Sequence, residues 1–255
     1  MPDAKPRQPP TQDSFSAKGA ESNEESTARA IRSMFSGVAP RYDFLNHALS
    51  LRRDIAWRRA TAQALRSVLE RPDSVVVDLC CGTGDLAFAF ERYAAGMVLG
   101  ADFCRPMLQR ARRKARPDGA VFFLEADALR LPLSDESADA VAIAFGFRNL
   151  ANYGRGVQEM RRVLRSGGWL AILEFSRVQM PIFRSLFQFY FHHLLPWLGS
   201  WVSGVKGPYQ YLADSVSRFP DQETLAAFLS EAGFRDVRYA NLTGGIAALH
   251  LAMKP

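Results

Sequence analysis

The sequence predicts an α/β fold: a doubly wound, mostly parallel seven-stranded sheet that ends in an antiparallel hairpin, with an N-terminal helical cap and a helical insertion. Three observations carry that expectation. Five short apolar runs, SVVVDLC, MVLGAD, VFFLEA, ADAVAIAF and GWLAILEF, alternate with helical or loop segments, which is the rhythm of parallel strands covered on both faces. The first run leads straight into a glycine turn, Gly82-Thr83-Gly84. Two last strand-like runs, FRDVRYANL and GIAALHLAM, flank Thr243-Gly244-Gly245, as in a hairpin.

Taken in order, residues 1–27 are rich in Pro, Ser, Gln and charge and are expected to be a disordered leader. Residues 28–255 then form one domain, opening with a helical cap over 28–70 that breaks near Ala39-Pro40. The first strand, from Val75, enters the turn whose glycines permit close backbone approach to a ligand. Gly-x-Gly-x-x-Ala, with Asp102 about 20 residues further on, fits a dinucleotide fingerprint. Yet Asp78 and Asp85 flank the turn, and carboxylates repel a pyrophosphate. A nucleoside bearing an ammonium and a sulfonium, and no phosphate, suits them better; S-adenosylmethionine is such a ligand. The plainer alternative is that Asp85 only complements a helix N-terminus.

Cys80 and Cys81 read as small packing residues. Three cysteines without CxxC or a His/Cys cluster at zinc spacing give neither a disulfide framework nor a metal site, and no metal is expected. The basic run Arg110–Arg116 closes a helix and reads as a solvated face, with a membrane-facing patch as the alternative. FGFRNL follows the fourth strand, at the carboxyl end where α/β sheets bind ligands. Arg148 there offers a permanent positive charge and Asn149 a polar amide that can orient an oxygen, the plainer alternative being that Arg148 pairs with a structural carboxylate.

Residues 178–218 form the expected lid. Arg184, Ser185, Gln188 and His192 share one helical face, and His193 falls among Ile182, Leu186 and Phe189 on the other. The segment is too polar to cross a bilayer; it suits a greasy channel, a membrane surface or ordinary core packing. His193 is a candidate for proton transfer, against a plain core histidine. The composition, 48% hydrophobic and 23% charged with net charge +6, is that of a soluble globular protein with an anionic partner. The cysteine usage leads to the expectation of a reducing, cytoplasmic setting, and no apolar signal segment is visible at the N-terminus.

From about Arg29 onward the chain resembles the class I S-adenosylmethionine-dependent methyltransferases, and more narrowly the ubiquinone/menaquinone biosynthesis C-methyltransferases. The resemblance rests on Tyr42-Asp43-x-x-Asn46, DLCCGTGDLA, GADF, ADALRLPL, FGFRNL, RVLRSGGWLAILEF, YQYLADSV, FPDQETL and NLTGGIAALH, in that order. It implies a Rossmann-like domain that moves a methyl group to a ring carbon of a prenylated quinol, without a metal. Demethylmenaquinol is the first expectation and a benzoquinol of ubiquinone synthesis the second. It also implies cofactor contacts at Asp78, Gly82, Thr83, Gly84, Asp102, Asp127, Ala128 and Ala144. Asp102 takes the ribose hydroxyls, and Asp127 and Ala128 flank the adenine. Arg148, Asn149, Tyr42 and His193 are the catalytic candidates. Two positions depart from the pattern. Ala144 stands where a serine contact is common, so that contact is lost or made by backbone. Arg52 stands where glycine is usual after Ser50, so the turn between the cap helices is expected to differ.

Nucleic acid is not an expected partner. Base amino-methylation calls for an Asn/Asp-Pro-Pro-aromatic motif after the fourth strand, and FGFRNL is not one. Pyrimidine carbon methylation calls for a late cysteine, and Cys80, Cys81 and Cys104 all lie earlier. The expected partners are the quinol and peripheral contact with a membrane, and homo-oligomerisation stays open.

Overall fold

A computed structural model describes residues 21–39, 43, 47, 50–178 and 207–255. Helices α1 (Glu21–Val38), α2 (Arg53–Ala64) and α3 (Arg66–Leu69) come first. The sheet alternates with helices thereafter: β1 (Val75–Leu79), α4 (Asp85–Glu91), β2 (Met97–Asp102), α5 (Arg105–Lys114), β3 (Val121–Glu125), β4 (Ala138–Ala144), α6 (Tyr153–Val163) and β5 (Leu164–Phe175). Helices α7 (Gly207–Arg218) and α8 (Gln222–Glu231) precede the hairpin β6 (Arg235–Leu242) and β7 (Ala247–Met253).

The strand order is β3-β2-β1-β4-β5-β7-β6. β1 to β5 run parallel, and β7 pairs antiparallel with both β5 and β6. Side chains alternate across each strand, and the core divides accordingly. Val77, Leu79, Val141, Ile143 and Ile172 face Met160 of α6 and Leu225 and Leu229 of α8. Val76, Ala140, Ala142 and Leu173 face Trp57 of α2 and Phe90 of α4. Burial on both faces is why the β1 and β4 runs read as continuous apolar stretches rather than alternating ones.

One boundary differs from expectation. Helix α1 begins at Glu21, inside the span expected to be a leader. Glu24 is buried and accepts from Asn152 Nδ2 at 2.9 Å and Arg155 Nη1 at 2.5 Å. A polar first turn is thus fastened by distant partners that composition does not reveal. Arg52, where glycine was expected, adopts a glycine-like backbone at φ 61° and ψ 13°, just before α2. Its N–H donates to His47 O at 2.7 Å, so the turn keeps its left-handed geometry and carries the strain. Of the expected lid, Val178 and 207–218 are described; 179–206, with His193, lie outside the described residues, as do Tyr42 and Asn46.

Candidate functional site

The order of the sheet reverses between β1 and β4, whose carboxyl ends adjoin at Leu79 and Ile143. Crevices for ligands form at such points. Each strand leaves through a residue in the left-handed region, Cys80 at φ 52° and Phe145 at φ 58°. Non-glycine residues held there cost about 1–3 kcal/mol each and concentrate at functional sites. Gly146 lets the two exits meet, because a Cβ on it would lie 2.5 Å from the Cβ of Cys80.

Asp102 closes β2 at this crevice, 6% exposed. Its Oδ2 accepts from Gly82 N at 2.8 Å and its Oδ1 from Cys104 N at 2.7 Å. The glycine turn is therefore tied to the next strand through one carboxylate. Burial pushes the Asp102 carboxyl up, and the amides of Cys104, Gly82 and Phe103 pull it back. A carboxylate has about four lone-pair sites, so acceptor capacity is left for a diol.

Asp102 lies on the wall of a mostly apolar cleft with Gly82, Asp127, Ala128, Ala144 and Asn149. Ala126, Leu129, Phe103 and Met107 add apolar side chains to the wall. Ala28, Ile31 and Phe35 of α1 cover it. Their i, i+3, i+7 spacing was the available signal for that role, hidden by the polar residues around them. Cys80 also lines the cleft. Its thiol and that of Cys81 are free, and burial pushes both up, aided by the neighbouring Asp102 and Asp78.

The remaining expected residues sit around the cleft rather than in its wall. Asp78 is buried at the end of β1 and accepts from Ala87 N at 2.9 Å. Burial holds its carboxyl well above the ordinary range. Gly84 takes φ 87° ahead of α4. Thr83 donates to Asp43 Oδ1 at 2.5 Å. Lys114 Nζ then joins Asp43 Oδ2 at 3.1 Å to Asp85 Oδ1 at 2.8 Å. Thr83 and Lys114 thus fasten the cap to the glycine turn, and the Asp85 carboxylate is engaged by a lysine rather than held ready for a ligand.

His47, Asp54 and Asp85 bring potential ligand atoms within 4.8 Å of one another. Arg58 already supplies a cation to this group: it pairs with Asp54 and approaches Asp85 at 3.8 Å. Burial opposes the Asp54 carboxylate, but a hydrogen bond from Ser50 and the charge of Arg58 outweigh it and hold the group below its usual range.

FGFRNL forms a short 3-10 turn over Phe147–Asn149. Arg148 is 7% exposed and is not part of the cleft's lining. Its Nη1 donates to Glu174 Oε1 at 2.7 Å and to Phe145 O at 2.5 Å, and its backbone N–H to Glu174 Oε2 at 3.2 Å. Burial pushes the Glu174 carboxyl up, against the charge of Arg148. Arg148 is therefore half of a buried ion pair, not a lone cation. Its Nε–H is buried without an acceptor among the described residues. Asn149 does face the cleft, and its Oδ1 accepts from Tyr211 of α7 at 3.1 Å.

Among the described residues no helix is long and apolar enough to cross a membrane. The sequence matches the ubiE/COQ5 methyltransferase family over residues 21–254. A demethylmenaquinone methyltransferase of Thermus thermophilus is 49% identical over 224 residues, covering 87% of this chain and 100% of that protein. A ubiquinone/menaquinone biosynthesis C-methyltransferase of Geobacter sp. is 40% identical over 229 residues, covering 88% of this chain and 96% of that protein. In fold, the chain is similar to a SAM-dependent methyltransferase from Aquifex aeolicus, with TM-score 0.53, 19% identity, and 77% and 98% of the two chains covered.

Proposed function

The chain belongs to the ubiE/COQ5 methyltransferase family, and from that premise we propose that it methylates a ring carbon of a prenylated quinol, demethylmenaquinol in preference to a benzoquinol. The observation that carries the reading is the Asp102 carboxylate, fixed by Gly82 and Cys104 amides on the wall of a greasy cleft at the switch point of the sheet. The preference for demethylmenaquinol rests on the name of the 49% identical, fully covered Thermus relative.

When bound, S-adenosylmethionine supplies an already activated sulfonium methyl, so the chain's task is to position and desolvate the acceptor. The donor set fits that ligand. Asp102 accepts from the ribose hydroxyls, Asp127 and Ala128 flank the adenine, and no phosphate has to lie beside buried Asp78. Gly82 and Ala144 offer close backbone approach, while Thr83 and Gly84 act indirectly by holding the turn. Alignment of reacting groups about 3–3.5 Å apart removes roughly 7–11 kcal/mol of barrier.

A quinol carbon becomes more nucleophilic as the neighbouring hydroxyl loses its proton. Asn149 lies where it can hold that oxygen. Arg148, neutralised overall by Glu174, acts first by fixing the Phe145 carbonyl and the turn that presents Asn149; its Nε–H is the part left for an oxygen. Tyr42 and His193 remain candidates from the cap and the lid. A membrane-borne substrate also implies peripheral contact with the membrane from the cytoplasmic side.

The test is to offer labelled S-adenosylmethionine with demethylmenaquinol and with the benzoquinol. Label in the naphthoquinol ring is expected. Label in neither quinol would end this reading.

A further inference from the structure

Tyr211 belongs to the YQYLADSV motif, whose role the sequence leaves unassigned. Helix α7 carries it to the FGFRNL turn. Building on the proposed quinol chemistry, we propose that Tyr211 is a positioning residue: its hydroxyl locks the Asn149 amide so that an Nδ2 hydrogen, not Oδ1, meets the quinol oxygen beside the reacting carbon.

The orientation of the amide follows from its neighbours. The Tyr211 hydroxyl donates to Oδ1 at 3.1 Å. On the other side, Nδ2 lies 3.5 Å from the carbonyl oxygen of Phe145. A carbonyl only accepts, so turning the amide over would set two oxygens against each other there. The Phe145 carbonyl is itself held, by its residue's left-handed backbone and by Arg148 Nη1 at 2.5 Å. Glu174 in turn anchors Arg148 at 2.7 Å.

Nδ2 carries two hydrogens, and the long contact with Phe145 engages at most one. The other is left for a ligand in the cleft that Asn149 lines. That arrangement suits a quinol oxygen gaining negative charge, which a hydrogen-bond donor stabilises. An inverted amide would present its own oxygen and repel it. Burial pushes the Tyr211 phenol up, against the pull of Arg148, so the hydroxyl keeps its proton and remains a donor at neutral pH.

The experiment measures turnover of a short-chain demethylmenaquinol with labelled S-adenosylmethionine in Tyr211→Phe, Asn149→Ala and the double variant. Loss of one neutral hydrogen bond corresponds to about 3–10-fold. Tyr211→Phe should lower kcat by that factor and leave the KM for S-adenosylmethionine unchanged. In the Asn149→Ala background the same change should be nearly silent, because Tyr211 acts through the amide. An equal loss in both backgrounds would overturn the proposal, since a purely structural tyrosine would behave that way.

A second measurement does not need turnover. In ¹⁵N-labelled protein, the side-chain amide pair missing from Asn149→Asp should shift in Tyr211→Phe. A pair that stays in place, in an enzyme that does methylate a quinol, would overturn the positioning role alone. Wild-type protein that methylates no quinol would instead overturn the functional reading, and with it the ligand assigned to Asn149.

Discussion

Replacing Asp102 separates the duty the structure shows, holding the glycine turn, from the one proposed for it, holding the cofactor. Both carboxylate oxygens already accept a backbone N–H, from Gly82 and Cys104. Asp102→Ala leaves those two donors without their partner in a nearly closed site. Each such orphan costs about 1–3 kcal/mol, so stability should fall by roughly 2–6 kcal/mol. Asp102→Asn is the gentler probe: its amide keeps one acceptor and turns a donor toward one of the same N–H groups. Hydrogen bonds to a charged acceptor contribute about 1.5–3 kcal/mol, which corresponds to roughly 10–150-fold in affinity. Calorimetric titration with S-adenosylmethionine should therefore show at least a tenfold weaker Kd for Asp102→Asn, alongside a lowered melting temperature. Unchanged affinity in a variant that folds would refute the ribose assignment, whatever its stability.

Arg148→Ala should lose about 3–5 kcal/mol in chemical unfolding, because it strands the buried Glu174 carboxylate; a small loss would argue against the ion pair and for a free catalytic cation. Arg52→Gly should gain about 0.5–1 kcal/mol by relieving the left-handed backbone at φ 61°, and an unchanged or lower unfolding midpoint would show that the turn is not strained. His250 is buried, with Nε2 at 3.0 Å from Gln222 O and Nδ1 without a partner among the described residues, and burial lowers its pKa below the usual 6.5. The unfolded chain then takes up the proton first, so the His250 contribution is intact above pH 6.5 and is lost as pH falls through the folded pKa. The wild type should accordingly lose melting temperature relative to His250→Gln between neutral pH and pH of about 5.5; parallel curves would contradict this. Glu24→Ala should release α1 from α6 and speed cofactor dissociation several-fold in stopped flow, and an unaltered rate would show that α1 is not a cover.

The strands were legible because nothing competes with them. A parallel strand buried on both faces must be apolar throughout, and VVVDL and ADAVAIA are nearly so. The hairpin was equally plain, with β6 and β7 in register from Leu242 and Ala247 back to Arg238 and Leu251, before the register shifts toward Arg235. The glycine turn, Asp102 and Asn149 could be placed because Asp102 ends a strand and the other two follow within five residues of one. What stayed hidden depends on pairs distant in sequence. Glu24 reads as one more acid in a polar stretch until Arg155 and Asn152 are set beside it. Arg148 reads either as a cation for a phenolate or as the partner of some structural carboxylate, and which acid that is emerges only when Glu174, 26 residues on, comes within 2.7 Å.

That pairing changes how the site can work. A lone buried arginine would attract any anion, whereas a neutralised pair in a low-dielectric setting has little net field and instead acts as a rigid brace. The brace converges on the carbonyl of Phe145, which receives Arg148 Nη1 and Asn149 Nδ2 together. On the role proposed for Asn149, discrimination between a phenol and a phenolate would fall to a small, directional donor whose amide Tyr211 and the Phe145 carbonyl already orient. Such preorganisation favours the state that develops during reaction over the state that binds. It also explains why three buried carboxylates, Asp78, Asp102 and Glu174, gather at the carboxyl ends of β1, β2 and β5. Backbone amides donate to each: Ala87 N to Asp78, Gly82 N and Cys104 N to Asp102, and Arg148 N and Phe175 N to Glu174.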